Sequence, residues 1–269
     1  MAQSRAYITA APVEPYKYGL LSAASLPPEP RKWRAGVTWQ TDACTPVQVL
    51  RSDCVVGGEP TAKVPVEGRP AENADPFVVS LLSNCKLVTL EEAAGSTRRR
   101  FELGAPRAIE HAFWFGDVAN VPALVTGTPT VLAPTASVVT AIGRLEKALA
   151  GVYAGVGVIH TDRLVASALA DRMQITGQGG AVLRTNLGTR YAFGAGYDSS
   201  VGPTGQATAA GDAWLFATGA VQVFRSEIYP EQGTQINPPT NEIFSLAEQT
   251  VLITRDCVTF AIKVTGLDV

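Results

Sequence analysis

Histidine is nearly absent from this chain, which carries only His111 and His160, and its four cysteines (Cys44, Cys54, Cys85, Cys257) include no C-x-x-C pair. A zinc site needs clustered Cys or His ligands, so the sequence offers no metal centre, and nothing in it calls for a cofactor. Charge is scarce as well: 17% of residues are charged, below the roughly 25% of an ordinary soluble domain. The net charge of −2 supplies no basic field for sequence-independent DNA binding. No window approaches the ~18 apolar residues of a membrane span. The first residues carry Glu14 and Lys17 and lack a continuous apolar core, so they do not read as a signal peptide. These absences point to a cytosolic compartment, where the cysteines are expected as buried free thiols. The alternative is a bond between Cys44 and Cys54, which flank an expected strand pair.

What the chain does have is apolar residues (46%), 25 glycines and 18 prolines in 269 positions. That length allows one large domain or two small ones with a full core. Little charge and much apolar content fit a subunit whose surface ends against something else, and equally a compact enzyme.

Residues 1–36 are polar and punctuated by Pro12, Pro15, Pro27, Pro28 and Pro30. They are expected to make no core of their own, and either to be disordered or to form an extended arm that orders only by lying across neighbouring subunits. Val37–Leu50 reads as strand around Trp39, Val47 and Val49. A turn-rich excursion follows with Gly57–Gly58, Pro60 and Pro65, and then strand again at Phe77–Leu82. Thr89-Leu-Glu-Glu92 is a capping box, opening a helix through Phe115 with Phe101, Ala105, Ile109 and Phe113 on one face. Pro106 removes one hydrogen bond and costs about 3 kcal/mol inside a helix, which predicts a kink or break near Gly104. Arg98–Arg100 read as a solvated or salt-bridged helix face.

Val138, Ile142, Leu145 and Leu149 mark a second helix, capped by Thr135 or Ser137, with Gly151 just past its end. A third, Asp162–Asp171, is capped by Thr161 after a strand at Val156–His160. Strands are expected at Val182–Asn186, Arg190–Gly194, Trp214–Thr218 and Val221–Arg225. Ala247–Val264 is read as a polar segment leading into two closing strands. In the last, Val258, Phe260, Ile262 and Val264 alternate with Thr259, Ala261 and Lys263, the period of a half-buried strand.

Chemistry has few candidates. Gly177-Gln-Gly179-Gly180 lacks the lysine and the following helix of a phosphate loop and reads as a tight turn. His160 and Asp162, with Ser167 one helical turn on, are the candidate catalytic set, yet no nucleophile elbow accompanies them. His111, beside Phe113, Trp114 and Phe115, has no ligand spacing to any other group.

The order of elements resembles the major capsid protein of tailed bacteriophages, the α+β Hong Kong 97-type fold that encapsulin shells share. The resemblance is a pattern of elements rather than of invariant residues, and it covers most of the chain. It places an N-terminal arm at 1–36, an E-loop hairpin region at 37–76 and a peripheral domain with its spine helix at 77–134. An axial domain follows at about 135–235, with a return to the peripheral domain at 236–269, where Val258–Val264 would lie beside the spine helix. Glu110-His-Ala-Phe-Trp-Phe-Gly-Asp117 resembles the usual end of the spine helix, and Leu187–Phe193 the strand after the axial helices. Pro106 departs from the continuous helix of the family.

The resemblance implies a structural, non-enzymatic protein of the virion, assembled in the host cytoplasm. Pentamers and hexamers would close an icosahedral shell around DNA bound without sequence specificity. Portal, scaffold or decoration proteins would be its partners, with a separate scaffold or none and with no membrane. Some members join an E-loop lysine to a neighbour's asparagine; here Lys63, with Asn237 or Asn241, would be the counterparts, although no residue pattern shows the reaction. The alternatives are an encapsulin-like shell or minor head or tail component, and a small cytosolic enzyme using His160 and Asp162.

Overall fold

The computed structural model describes residues 11–50, 62–66, 68–86, 88–116, 118, 120–229, 235–237 and 239–267. Cys54, the Gly57–Gly58 and Pro60 tip, and Asp117 lie outside the described residues. The helices are α1 (Leu20–Ala23), α2 (Leu90–Phe115), α3 (Val138–Val152) and α4 (Arg163–Asp171). The strands are β1 (Val37–Gln40), β2 (Ala71–Ala74), β3 (Phe77–Lys86), β4 (Thr130–Val131), β5 (Val158–Asp162) and β6 (Arg190–Gly194). They continue with β7 (Ala213–Thr218), β8 (Val221–Arg225), β9 (Gln235–Asn237), β10 (Glu242–Arg255) and β11 (Thr259–Val264).

The capping box is formed. Glu92 N–H donates to Thr89 Oγ1 at 3.2 Å, and Thr89 N–H donates to the Glu92 carboxylate at 2.9 Å, which holds that carboxyl below its ordinary range. From there α2 runs unbroken through Pro106 to Phe115, so the break expected near Gly104 does not occur. Phe101, Ala105, Ile109 and Phe113, on both sides of the proline, are buried in the core that α2 shares with both sheets. Each large apolar side chain buried contributes about 1.5–3 kcal/mol, enough together to outweigh one missing hydrogen bond. Arg98 pairs with Glu102 at 2.9 Å on the exposed face, one turn along, as the charge pattern implied. Gly116 ends the helix in the left-handed region, φ 71°, its N–H on the carbonyl of Ala112. A Cβ there would lie 2.4 Å from Thr126 Oγ1, so only glycine fits.

Beneath α2 lies an antiparallel sheet of order β3-β10-β8, with β9 also on β10. The polar segment expected before the closing strands is part of β10 itself, which pairs with β3 from Glu242 opposite Lys86 to Val251 opposite Phe77. Strict alternation turns Phe77, Val79, Ala247 and Val251 toward α2 and leaves Val78 and Leu82 exposed on the other face.

The second sheet has the order β4-β11-β7-β5-β6. One face, with Phe260, Ile262, Leu215, Ile159 and Phe193, packs on Ile142, Leu145, Val165 and Leu169 of α3 and α4. The other, with Ala261, Phe216, Val158 and Ala192, meets the C-terminal end of α2 at Phe113 and Trp114. Here β11 pairs with β7 and β4, with Ala261 in one core with Phe113 and Trp114 of α2, and it departs from expectation in being buried on both faces. In sequence Ala261 passes for a residue of a solvent face; in space its small side chain leaves room for the aromatic end of α2.

Smaller corrections have local causes. Asp162, not Thr161, caps α4, its Oδ1 accepting from the N–H groups of Leu164 at 3.0 Å and Val165 at 3.1 Å. Thr161 is buried within β5. Ser137 caps α3, accepting from Thr140 N–H, and α3 continues through Gly151 to Val152. Residues 182–186 form no strand; Arg184 makes only single bridges to Thr176 and Arg190. The Gly177–Gly180 turn is tight, with Gly177 at φ 83° and Gly179 at φ 87°.

Two further expectations fail because they depend on distant chain. Residues 16–25 are not an arm awaiting a neighbour: Leu20 and Ala23 are fully buried in the core of their own chain. Phe193 N–H donates to Tyr18 O at 2.7 Å, and Ser25 exchanges backbone bonds of 2.9 Å with Val221 and Val223. The cysteines do not stay free either, nor does Cys44 meet Cys54: Cys44 is bonded to Cys257, 213 positions away. Cys85 is a free thiol, half-buried.

Candidate functional site

The residues singled out for catalysis are present but not joined. His160 is fully buried, with Nδ1 3.2 Å from Tyr197 Oη and Nε2 2.9 Å from Thr218 Oγ1. Burial, reinforced by the charge of Arg255, pulls its pKa down to about 3, so the ring is neutral and both nitrogens are occupied. Asp162 points elsewhere: one oxygen caps α4 and the other accepts from Ser199 Oγ at 2.5 Å. Ser167 Oγ donates to the carbonyl of Leu164. His111 lies exposed on α2 with its ring 4.6 Å from that of Phe115. Among the described residues no three His, Cys, Asp or Glu side chains are placed to hold a metal. Among them too, no helix is long and apolar enough to cross a membrane.

What the fold presents instead is surface. β1 and β2 form the base of a hairpin, Val37 opposite Ala74 and Gln40 opposite Ala71. The strand expected through Leu50 stops at Gln40; the outgoing leg stays against the body through Cys44 and is exposed from Thr45. Val47 is 91% exposed and Val49 96% exposed on one leg; Val64 and Val66 are exposed on the other. The Gln48 side chain ties the legs together, its Oε1 accepting from Val64 N–H at 3.1 Å and its Nε2 donating to Val64 O. Lys63 lies on the second leg and Asn237 on β9 at the rim of the antiparallel sheet. That sheet bears a second exposed apolar strip on the face away from α2, where Leu82 stands opposite Leu246. Four exposed valines on these legs gain from burial against another surface.

The arm is held by a group that sequence reading passed over as one more helix charge. Glu110 of α2 is 1% exposed. Its Oε1 accepts from Leu20 N–H at 2.8 Å, and its Oε2 accepts from Tyr16 Oη at 2.6 Å and from Gly196 N–H at 3.1 Å. Burial raises its pKa against the pull of these donors, and it pushes the Tyr16 hydroxyl above its ordinary range. Arg163 closes the clasp, 5.4 Å over the Tyr16 ring and donating to Lys17 O at 3.1 Å. Two glycines make the approach possible: a Cβ on Gly19 would lie 2.1 Å from Glu110 Oε1, and one on Gly196 2.1 Å from Arg107 O. The available signal was weak: a carboxylate at a helix position otherwise facing the core, at the i+1 place after Ile109.

No protein-family model matches the chain, and no curated protein matches it in sequence. Solved structures do match in three dimensions. The capsid of a native GTA particle aligns over 98% of this chain and 95% of its own, with a TM-score of 0.60 and 12% identity. The capsid of Ralstonia phage GP4 aligns over 98% and 96%, with a TM-score of 0.56 and 11% identity. A structure of Mycobacterium phage Adephagia aligns over 97% and 94%, with a TM-score of 0.55 and 12% identity. With TM-scores of 0.55–0.60 over nearly the whole chain, the fold of this protein is the α+β Hong Kong 97-type capsid fold.

Proposed function

We propose that this chain is the major capsid protein of a tailed bacteriophage, a structural subunit rather than an enzyme. It self-assembles into the pentamers and hexamers of an icosahedral head around double-stranded DNA. The observation that carries this reading is the near end-to-end correspondence with capsid chains, 98% of this chain and 95% of the GTA particle chain. The surfaces support it. A projecting loop bearing Val47, Val49, Val64 and Val66 and an exposed strip around Val78 and Leu82 bury apolar area only when subunits meet. Modest contacts repeated around a closed shell then sum to a stable particle.

In this reading β1, β2 and their long connection are the E-loop, and α2 is the spine helix. The antiparallel sheet with α2 is the peripheral domain, and the sheet packed on α3 and α4, β11 included, is the axial domain. Residues 11–36 belong to the N-terminal arm, of which residues 18–25 fold back on their own chain. With a net charge of −2, the wall contains DNA without condensing it or reading its sequence. Portal, scaffold and decoration proteins are the expected partners, and the virion, assembled in the host cytoplasm, the expected location.

Electron microscopy of the purified protein tests this. Closed shells are expected, and a monodisperse small oligomer that forms no particles would refute it. Shells that enclose a host enzyme in place of DNA would move the reading to an encapsulin-like container.

A further inference from the structure

We propose that Cys44 and Cys257 form a redox latch that sets where the projecting loop hinges, open while the chain is made in a reducing cytosol and closed afterwards. The two cysteines stand on unlike ground. Cys257 lies in the turn between β10 and β11, and that turn is braced on three sides. Asp256 accepts from Tyr153 Oη at 2.9 Å, Asp256 N–H donates to Ala220 O at 2.9 Å, and Val258 N–H donates back to Asp256 O at 2.7 Å. Tyr153 Oη in turn accepts from Ala220 N–H. Cys44 lies on the outgoing leg of the loop, at the last point where that leg touches the body.

Before Cys44 the leg is tied to the returning leg by Thr41 N–H on Pro70 O at 3.2 Å and to the body by Ala154 N–H on Ala43 O at 2.8 Å. After it, among the described residues, the hydrogen bonds of 45–50 stay within the loop: Thr45 N–H to Asp42 O, and Gln48 to Val64. With the disulfide in place the lever starts at Thr45. Without it residues 43–44 are held by the Ala43–Ala154 bond and by the packing of the two side chains on the core of the second sheet, a weaker attachment from which the hinge retreats toward Gln40, where β1 ends.

Both cysteines are half-buried, which leaves them within reach of small thiols and small disulfides. The step balances with a low-molecular-weight disulfide as oxidant. A thiolate of one cysteine attacks it and expels one thiol, giving a mixed disulfide. The second cysteine thiolate then displaces the other half, so the Cys44–Cys257 bond forms, two small thiols are released, and they carry the two cysteine protons. The reducing cytosol runs the exchange backward. For a shell subunit this gives a loop free to settle on its neighbour during assembly and pinned once the particle leaves the cell; that consequence rests on the function proposed above, whereas the latch rests on the fold alone.

The test therefore uses the unassembled full-length chain, so that a failure to make particles leaves it intact. After equilibration with oxidised glutathione and alkylation of residual thiols, non-reducing peptide mapping is expected to recover a Cys44–Cys257 cross-linked peptide. Hydrogen exchange of residues 42–46 is expected to quicken on the order of tenfold when dithiothreitol opens the bond. The double variant Cys44→Ser/Cys257→Ser should exchange like the reduced protein in either medium. If that variant fails to fold, the comparison of wild type with and without reductant decides alone. Alkylation of both cysteines after oxidation, pairing of either with Cys54 or Cys85, or equal exchange in the two states would overturn the proposal.

Discussion

Removing the Glu110 carboxylate is expected to free the N-terminal arm from the body of the subunit. Glu110→Ala leaves two interior backbone donors, Leu20 N–H and Gly196 N–H, without an acceptor, and takes the partner from Tyr16 Oη. An orphaned buried donor costs about 1–3 kcal/mol. Against this, the variant no longer bears the cost of holding a carboxylate inside, which the raised pKa of Glu110 records. The balance is a loss of about 2–5 kcal/mol. Glu110→Gln keeps the volume and one acceptor, and its amide can donate to Tyr16 Oη, so a single orphan remains, at about 1–3 kcal/mol. Urea unfolding should rank the proteins wild type, Gln variant, Ala variant. Hydrogen exchange should show the loss of protection at residues 18–25 ahead of the rest of the chain. If Glu110→Ala stays within about 0.5 kcal/mol of wild type, the range of an ordinary surface change, or if residues 18–25 keep their protection, the carboxylate does not hold the arm.

Three other outcomes follow from the geometry. His160 titrates at about 3 when folded, against an ordinary value of 6.5. Between these values the unfolded chain holds a proton that the folded chain does not, so stability is complete above the upper value and falls on acidification by about 1.4 kcal/mol per pH unit. Urea melts across this range should show a shallower slope for His160→Gln than for wild type, and equal slopes would disprove the assignment. Truncation after Arg255 removes β11 from between β4 and β7 and opens both cores; the product should lack near-ultraviolet circular dichroism, and a folded truncated subunit that merely fails to assemble would contradict the inner placement of this strand. Val47→Asp with Val49→Asp should leave the unfolding midpoint of the subunit unchanged, because both side chains are solvent-exposed, and should suppress particle formation in electron micrographs; normal particles would remove these valines from the subunit contact.

Local chemistry made much of this legible before any tertiary structure. Thr89 and Glu92 begin α2 because a capping box satisfies two donors within four residues. Gly116 ends it because a left-handed residue is needed there, and Ser137 starts α3 for a similar reason. Period-two alternation identified β11 as a strand, and an apolar run bounded by turn signals identified β3. Pro106 misled because its cost is local whereas the compensation, burial of Phe101, Ile109 and Phe113 in a core shared with distant strands, is not. Glu110 was passed over for the matching reason: what makes it a clasp are Tyr16, Leu20 and Gly196, far off along the chain.

By itself, then, the sequence determined α2, α3 and α4, the strands β3, β5 to β8 and β11, the lack of a metal or nucleophile motif, and the element order that resembles a shell protein. Those depend on capping, periodicity and composition, all of which act over a few residues. Tertiary structure alone decided that β11 lies between two cores, that Cys44 meets Cys257, that residues 16–25 fold back on their own chain, and that His160 is sealed between Tyr197 and Thr218. Each of these is a contact between residues remote in sequence, selected by the packing of whole sheets and helices, and a local pattern carries no record of which distant surface it will meet.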